Sequence, residues 1–300
     1  MADTRFINDR GLSARMGLVM ALLALLYLAV MAGIIVYFDA SWVIVTLIAV
    51  AVAFAQWYFS DKIALAAMRA REVTPQQAPE LHGMIDRLCA LADMPKPRVA
   101  VADSDLPNAF ATGRSPQHSV VCVTTGILRR LDTDELEGVL SHELSHVAHR
   151  DVTVMTIASV VGVLAGFMTR MALWGGMGGR RNNNGAPAVL VIILVSAVVY
   201  ALSFLLTRAL SRYRELAADR AGAFLTTQPS ALASALVKIT GEMGRIPSRD
   251  LREAEPYNAF FFAPALSPGF SLSSMFSTHP PIEKRLEQLG RISAQLGRPL

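Results

Sequence analysis

Charge is scarce in this chain. Asp, Glu, Lys and Arg supply 17% of its 300 residues against 53% hydrophobic, and mean hydropathy is +0.40. That balance excludes an ordinary soluble domain of this size and points to membrane spans. Cysteine is almost missing: Cys89 and Cys122 stand alone in apolar surroundings. A disulfide framework and a Cys-x-x-Cys metal site are therefore excluded, and both read as small core residues. No basic run is interleaved with aromatics, so the net charge of +4 gives no footprint for nucleic acid. Neither Gly nor Pro occurs between Ala188 and Ala221, so nothing there breaks a helix.

The apolar residues are gathered into four long runs. Met16 to Phe38 and Ser41 to Ser60 form a hairpin around Asp39, and Val152 to Thr169 and Ala188 to Thr207 flank a Gly/Asn-rich loop at 175–185. Runs of this length cover a hydrocarbon core of about 30 Å. Arg5, Arg10 and Arg15 precede the first run as they would in a secretory signal, but the run is long and a second follows at once, so it reads as a retained anchor. Arg170 and the shortness of the third run leave open a re-entrant pair in place of two full spans.

Between the runs lies material of another kind. Leu81, Met84, Ile85, Leu88 and Leu91 recur at helical spacing over Glu80 to Ala92, and Pro95-Lys96-Pro97 stops that helix. Arg98 to Ala102 and Ser119 to Thr125 read as strands, with Asn108 to Thr112 as a third. Asp132 with Glu135 three residues on is a capping-box pattern opening the next helix.

That helix carries Ser141-His142-Glu143-Leu144-Ser145-His146, a His-Glu-x-x-His signature. Histidines four apart project from one helical face, so both imidazoles can reach a single Zn²⁺, with the glutamate beside the metal's open position. A catalytic zinc needs a third protein ligand. In Arg214-Glu215-Leu216-Ala217-Ala218-Asp219 two carboxylates share one face; Glu215 is assigned to the metal and Asp219 to orienting a histidine. A solvated acidic face paired with Arg212 and Arg220 is the competing reading. His149 follows too closely to be the third histidine of a metzincin and is read either as structural or as a support behind the ligands. Asp151 reads as a cap at the join to the third run. His279, in Thr278-His279-Pro280-Pro281, is either an oxyanion donor or part of the start of a final helix, Ile282 to Gln288. The chemistry supported is amide hydrolysis, with zinc acidifying a water and polarising a carbonyl while Glu143 moves the proton to the leaving amine.

With His142-Glu143-x-x-His146, Glu215-x-x-x-Asp219, Asn108-Ala109-Phe110 and Thr278-His279-Pro280 in this order, the chain resembles the HtpX-like membrane metalloproteases over about residues 15 to 290. The resemblance implies a gluzincin fold with one Zn²⁺ per chain, held by His142, His146 and Glu215, and Glu143 as general base. It also implies that Asn108, Ala109 and Phe110 line the substrate cleft. Further implications are a multi-pass position in a bacterial inner membrane, a catalytic domain facing the cytoplasm, and misfolded membrane proteins as substrates.

The expected architecture is an α+β membrane protein, mainly helical, in which four transmembrane helices carry a zincin-like catalytic domain with a small β-sheet. Residues 1–15 form a cytoplasmic segment, 16–60 a transmembrane hairpin, 61–151 the first part of the catalytic domain, 152–207 the second transmembrane pair and 208–300 the second part. Arg5, Arg10, Arg15, Lys62, Arg69, Arg71, Arg150, Arg208, Arg212 and Arg214 fall on the catalytic side, against Arg180 and Arg181 opposite, which favours a cytoplasmic catalytic domain. Two other functions compete. A prenyl-protein protease shares the motif but calls for more spans, and a silent zinc-binding scaffold or chaperone has no need of Glu143.

Overall fold

The computed structural model of the chain describes residues 10–37, 47, 50, 51, 54–158, 186–245 and 279–298. Its elements are α1 (Arg10–Tyr37), α2 (Ser60–Ala67), β1 (Arg71–Glu72), α3 (Pro79–Ala92), β2 (Arg98–Ala102), β3 (Ala109–Ser115), β4 (His118–Thr124), α4 (Thr125–Arg130), α5 (Thr133–Ala148), α6 (Ala186–Thr226), α7 (Pro229–Arg245) and α8 (Ile282–Gln295). Residues 151–158 are also helical. The expected second span up to residue 53, apart from residues 47, 50 and 51, lies outside the described residues. So do the third span beyond residue 158, the loop 175–185 and the stretch 256–276.

The four strands form one mixed sheet in the order β1-β2-β4-β3. β2 and β4 are parallel, while β1 and β3 pair antiparallel with β2 and β4. The side-chain period of two divides β4 between two cores. Val121 and Val123 face α3 and α5, and Val120 and Cys122 pack with Ala64 and Phe110 under α2. β3 extends three residues past the expected strand, because Ser115 still pairs with His118 across the turn. The two-residue β1 had too little pattern to be expected. Cys89 and Cys122 are free and buried, and burial pushes their thiols up to about 11 and about 12, as suits inert core residues.

The helix boundaries have visible local causes. Pro79 opens α3, and Asp93, in a left-handed conformation at φ 52°, closes it. Asp132 accepts from the Glu135 amide at 2.9 Å while Glu135 accepts from the Asp132 amide at 3.0 Å, completing the capping box of α5. The absence of Gly and Pro between Ala188 and Ala221 has its consequence in α6, which runs 41 residues without a break.

Among the described residues, one helix, Ile193–Thr226 within α6, is long and apolar enough to cross a membrane; its best window has mean hydropathy 2.0. Its outer half exposes Leu194, Val198, Leu202 and Leu205, and α1 exposes Leu18, Leu22, Leu25 and Leu28. The two helices and residues 151–158 pack through Val19, Leu23, Ala158 and Leu210. Further along, α6 lies against α5 closely enough that a Cβ on Gly222 would sit 2.8 Å from Ser141 Oγ and 3.0 Å from the His142 amide nitrogen. This glycine sets how near the two helices carrying the candidate ligands approach.

Candidate metal and catalytic site

His142 and His146 stand one turn apart on the buried face of α5, their rings edge to face with centroids 4.8 Å apart. Glu215 reaches them from α6. Its Oε1 is 3.4 Å from His146 Nε2 and its Oε2 is 3.7 Å from His142 Nε2, and the two Nε2 atoms are 3.1 Å apart. A tetrahedral metal with bonds of about 2.05 Å spaces its ligand atoms about 3.3 Å apart, and the two imidazole nitrogens and the Glu215 carboxylate, which turns one oxygen to each ring, stand at about such separations. The chain thus presents a group that could hold one metal ion.

The far nitrogen of each ring is held by a carboxylate. Asp219 Oδ1 lies 2.9 Å from His142 Nδ1, and Asp151 Oδ2 lies 2.5 Å from His146 Nδ1. In the tautomer that carries its hydrogen on Nδ1, each ring turns that hydrogen towards its carboxylate and leaves Nε2 to face Glu215, which is the arrangement a divalent cation requires. Burial alone pushes the His142 imidazole down, and Asp219 and Glu215 more than offset it, so it sits above its ordinary value. Carboxylates on both sides of the ring therefore favour positive charge at this position, which either a proton or a metal ion supplies.

Behind the ring of His142 the network continues. Arg285 on α8 donates to Asp219 from Nε at 2.7 Å and from Nη2 at 2.6 Å, and both side chains are sealed from solvent. Arg214 on α6 forms an ion pair with Asp151 through Nη2. The acidic face of α6 is therefore not solvated, and the partner of Asp219 is Arg285 rather than the sequence neighbour Arg220. Burial raises the Glu143 carboxyl above its ordinary value, opposed by His142 and His146, and the Ala111 amide of β3 donates to it.

A cavity of about 340 Å³ opens over this group. Ala109, Phe110 and Ala111 line one wall, and Met155 and Ser211 come from the apolar helices. Asn108 sits just before β3, buried, with its amide donating to Thr124 Oγ1 at 3.0 Å. His279 enters the cavity and places Nδ1 3.0 Å from Glu215 Oε2. His149 caps α5, with Nδ1 2.7 Å from the Ser145 carbonyl oxygen.

Peptidase family M48 matches residues 75–293, a span that contains every side chain of this site. The chain belongs to that family. Protease HtpX homolog 1 of Streptomyces coelicolor is 58% identical over 98% of this chain and 97% of its own length. The HtpX homolog of Moorella thermoacetica is 50% identical over 96% and 97%. The chain is thus an HtpX-like metalloprotease. The crystal structure of S. mikatae Ste24p shares its fold at a TM-score of 0.55 and 18% identity, over 91% of this chain and 62% of that one. This HtpX-like chain therefore spans about three fifths of that larger relative in fold.

Two residues of the site escaped the sequence reading. Asp151 looked like a cap, yet its carboxylate is turned to His146 and Arg214. Its position five residues after His146 was the available signal, since a chain that turns back at Arg150 (φ 56°) brings that side chain beneath the ring. Arg285 gave no local signal at all, because 66 residues separate it from Asp219.

Proposed function

We propose that this chain is an integral-membrane zinc endopeptidase in which His142, His146 and Glu215 hold one Zn²⁺ and Glu143 is the general base. The observation that carries this reading is the convergence of two carboxylate-oriented imidazoles and Glu215 beside a second, buried carboxylate at the edge of a sheet. Bound there, zinc would acidify a water and polarise a peptide carbonyl. The rest falls to side chains. Glu143 takes the proton of the attacking water and passes it to the nitrogen of the departing amine, and burial, which raises its carboxyl above the ordinary value, strengthens it as a base. Asp219 and Asp151 hold His142 and His146 in the tautomer that faces the metal. His279 steadies Glu215 through Nδ1; the oxyanion role, one of the two readings the sequence left open, would fall to its other ring nitrogen.

β3 is an edge strand with Ala109 to Ala111 on the cavity wall. An extended peptide added there would lie across the site, which favours an unfolded chain as substrate. We assign the chain four spans, a cytoplasmic catalytic side and a place in the bacterial inner membrane, on the basis of its apolar runs and Lys/Arg distribution. Damaged or misassembled membrane proteins are the substrates this setting favours. The purified protein should cleave an unfolded polypeptide, lose that activity to a chelator and regain it with Zn²⁺. Activity indifferent to chelation would refute the reading.

A further inference from the structure

Two separate rulers on this molecule measure the height of the site above the apolar zone. On α6, the exposed apolar residues end at Leu205, and the Arg208 guanidinium lies 4.5 Å over the Phe204 ring. From there α6 is enclosed by protein, and Glu215 comes seven residues later, about 10 Å at 1.5 Å per residue. On β3, Ala111 lines the cavity together with Glu143. Three residues on, about 10 Å along a strand, the Arg114 guanidinium lies 4.4 Å over the Tyr58 ring, with Lys62 at 5.7 Å over Phe59 nearby. Cations resting on aromatic rings beside exposed apolar side chains are the arrangement that suits the edge of a bilayer.

The same junction is tied together by hydrogen bonds. Trp57 Nε1 donates to Thr153 Oγ1 at 2.9 Å, and Thr153 Oγ1 donates to the Arg114 carbonyl at 3.5 Å. The end of β3, the helix at 151–158 and the residues before α2 are thus held in one place. Met155 both packs in the apolar bundle and lines the cavity, so among the described residues the cleft and the bundle share a wall.

From these measurements we infer that the site cuts polypeptides at a set distance, about three to six residues, from the end of a membrane-embedded apolar segment. The lower figure is 10 Å divided by the 3.3 to 3.6 Å that an extended residue spans; the upper allows for an incompletely stretched chain. The inference rests on the reading of His142, His146, Glu215 and Glu143 as the hydrolytic site. It adds to that reading a register, which no sequence preference at the scissile bond would produce.

The test uses the full chain, loaded with zinc, in phosphatidylcholine/phosphatidylglycerol vesicles. Substrates carry a Leu/Ala segment of about 20 residues at one end or the other of a spacer built from a short repeated sequence, so that every repeat offers the same bonds. Product masses locate the cuts, and an unfolded soluble polypeptide is digested in parallel. The expected result is a cluster of cuts three to six residues from the apolar segment, which moves when the segment is lengthened or shifted. Cuts spread evenly through the repeats, or a soluble chain cut while both anchored ones are spared, would overturn the register and leave the hydrolytic reading intact. Failure on all three substrates would overturn the hydrolytic reading itself.

Discussion

Replacing Asp151 probes a part of the site that the zinc signature does not contain. Its carboxylate accepts from His146 Nδ1 at 2.5 Å and is paired on the other side with Arg214, whose side chain is 7% exposed. Asp151→Asn keeps an oxygen for the ring N–H but removes the charge that makes Nε2 a stronger donor to metal. Loss of such a partner weakens metal binding about 10- to 100-fold, or roughly 1.4 to 2.7 kcal/mol. Asp151→Ala should do more, because it leaves Arg214 buried without its counter-charge at a cost of about 3 to 5 kcal/mol. The combined variant Asp151→Ala with Arg214→Met removes both charges, so it should recover most of that stability and none of the zinc affinity. Competition with a chromogenic chelator gives the affinity and thermal melting in detergent gives the stability. Wild-type zinc affinity in Asp151→Asn would refute the assignment of Asp151 as the residue that positions His146.

Three further outcomes follow from the packing around the site. Arg285→Met should lower stability by about 3 to 5 kcal/mol, since it strands Asp219 at 0% exposure, and Arg285→Met with Asp219→Asn should melt higher than the single variant. Gly222→Ala puts a methyl group 2.8 Å from Ser141 Oγ. It should cost about 1 to 3 kcal/mol and weaken zinc binding by moving α6 off α5, whereas Gly83→Ala, where nothing lies within 4 Å, should do neither. Burial pushes the Glu135 carboxyl up, but the Lys238 ammonium and the Ser234 hydroxyl outweigh it and hold it below 4.5. A carboxyl lowered by folding contributes stability that is complete above its unfolded value and is lost as pH falls through its folded one. Melting scanned downward from pH 5 should therefore fall less steeply in Glu135→Gln than in wild type.

Much of the site was legible because its chemistry is written in local spacings. His142, Glu143 and His146 are fixed by one helical turn, and Asp132 and Glu135 announced the start of that helix. Glu215 and Asp219 were readable because neither Gly nor Pro lies between Ala188 and Ala221 in α6. The Asp219–Arg285 and Asp151–Arg214 pairs were not, because each joins segments whose approach depends on the packing of whole helices. β3 came out longer than its apolar pattern, since Gly113 to Ser115 pair through the backbone and carry no alternation to read. The short helix Thr125–Arg130 was likewise missed: the Thr124 side chain caps it by accepting from the Ile127 amide, a signal that a strand ending in threonine conceals.

The most direct test of the account is Glu143→Gln beside wild type, with bound zinc and hydrolysis of an unfolded polypeptide measured on the same preparations. Glu143 is neither one of the three ligands nor one of the two carboxylates behind the rings, Asp219 and Asp151, so zinc content should be equal while the rate falls by about 10² to 10⁴. Equal rates at equal zinc would contradict the assignment of Glu143 as the base, and loss of zinc from the variant would contradict the ligand set of His142, His146 and Glu215.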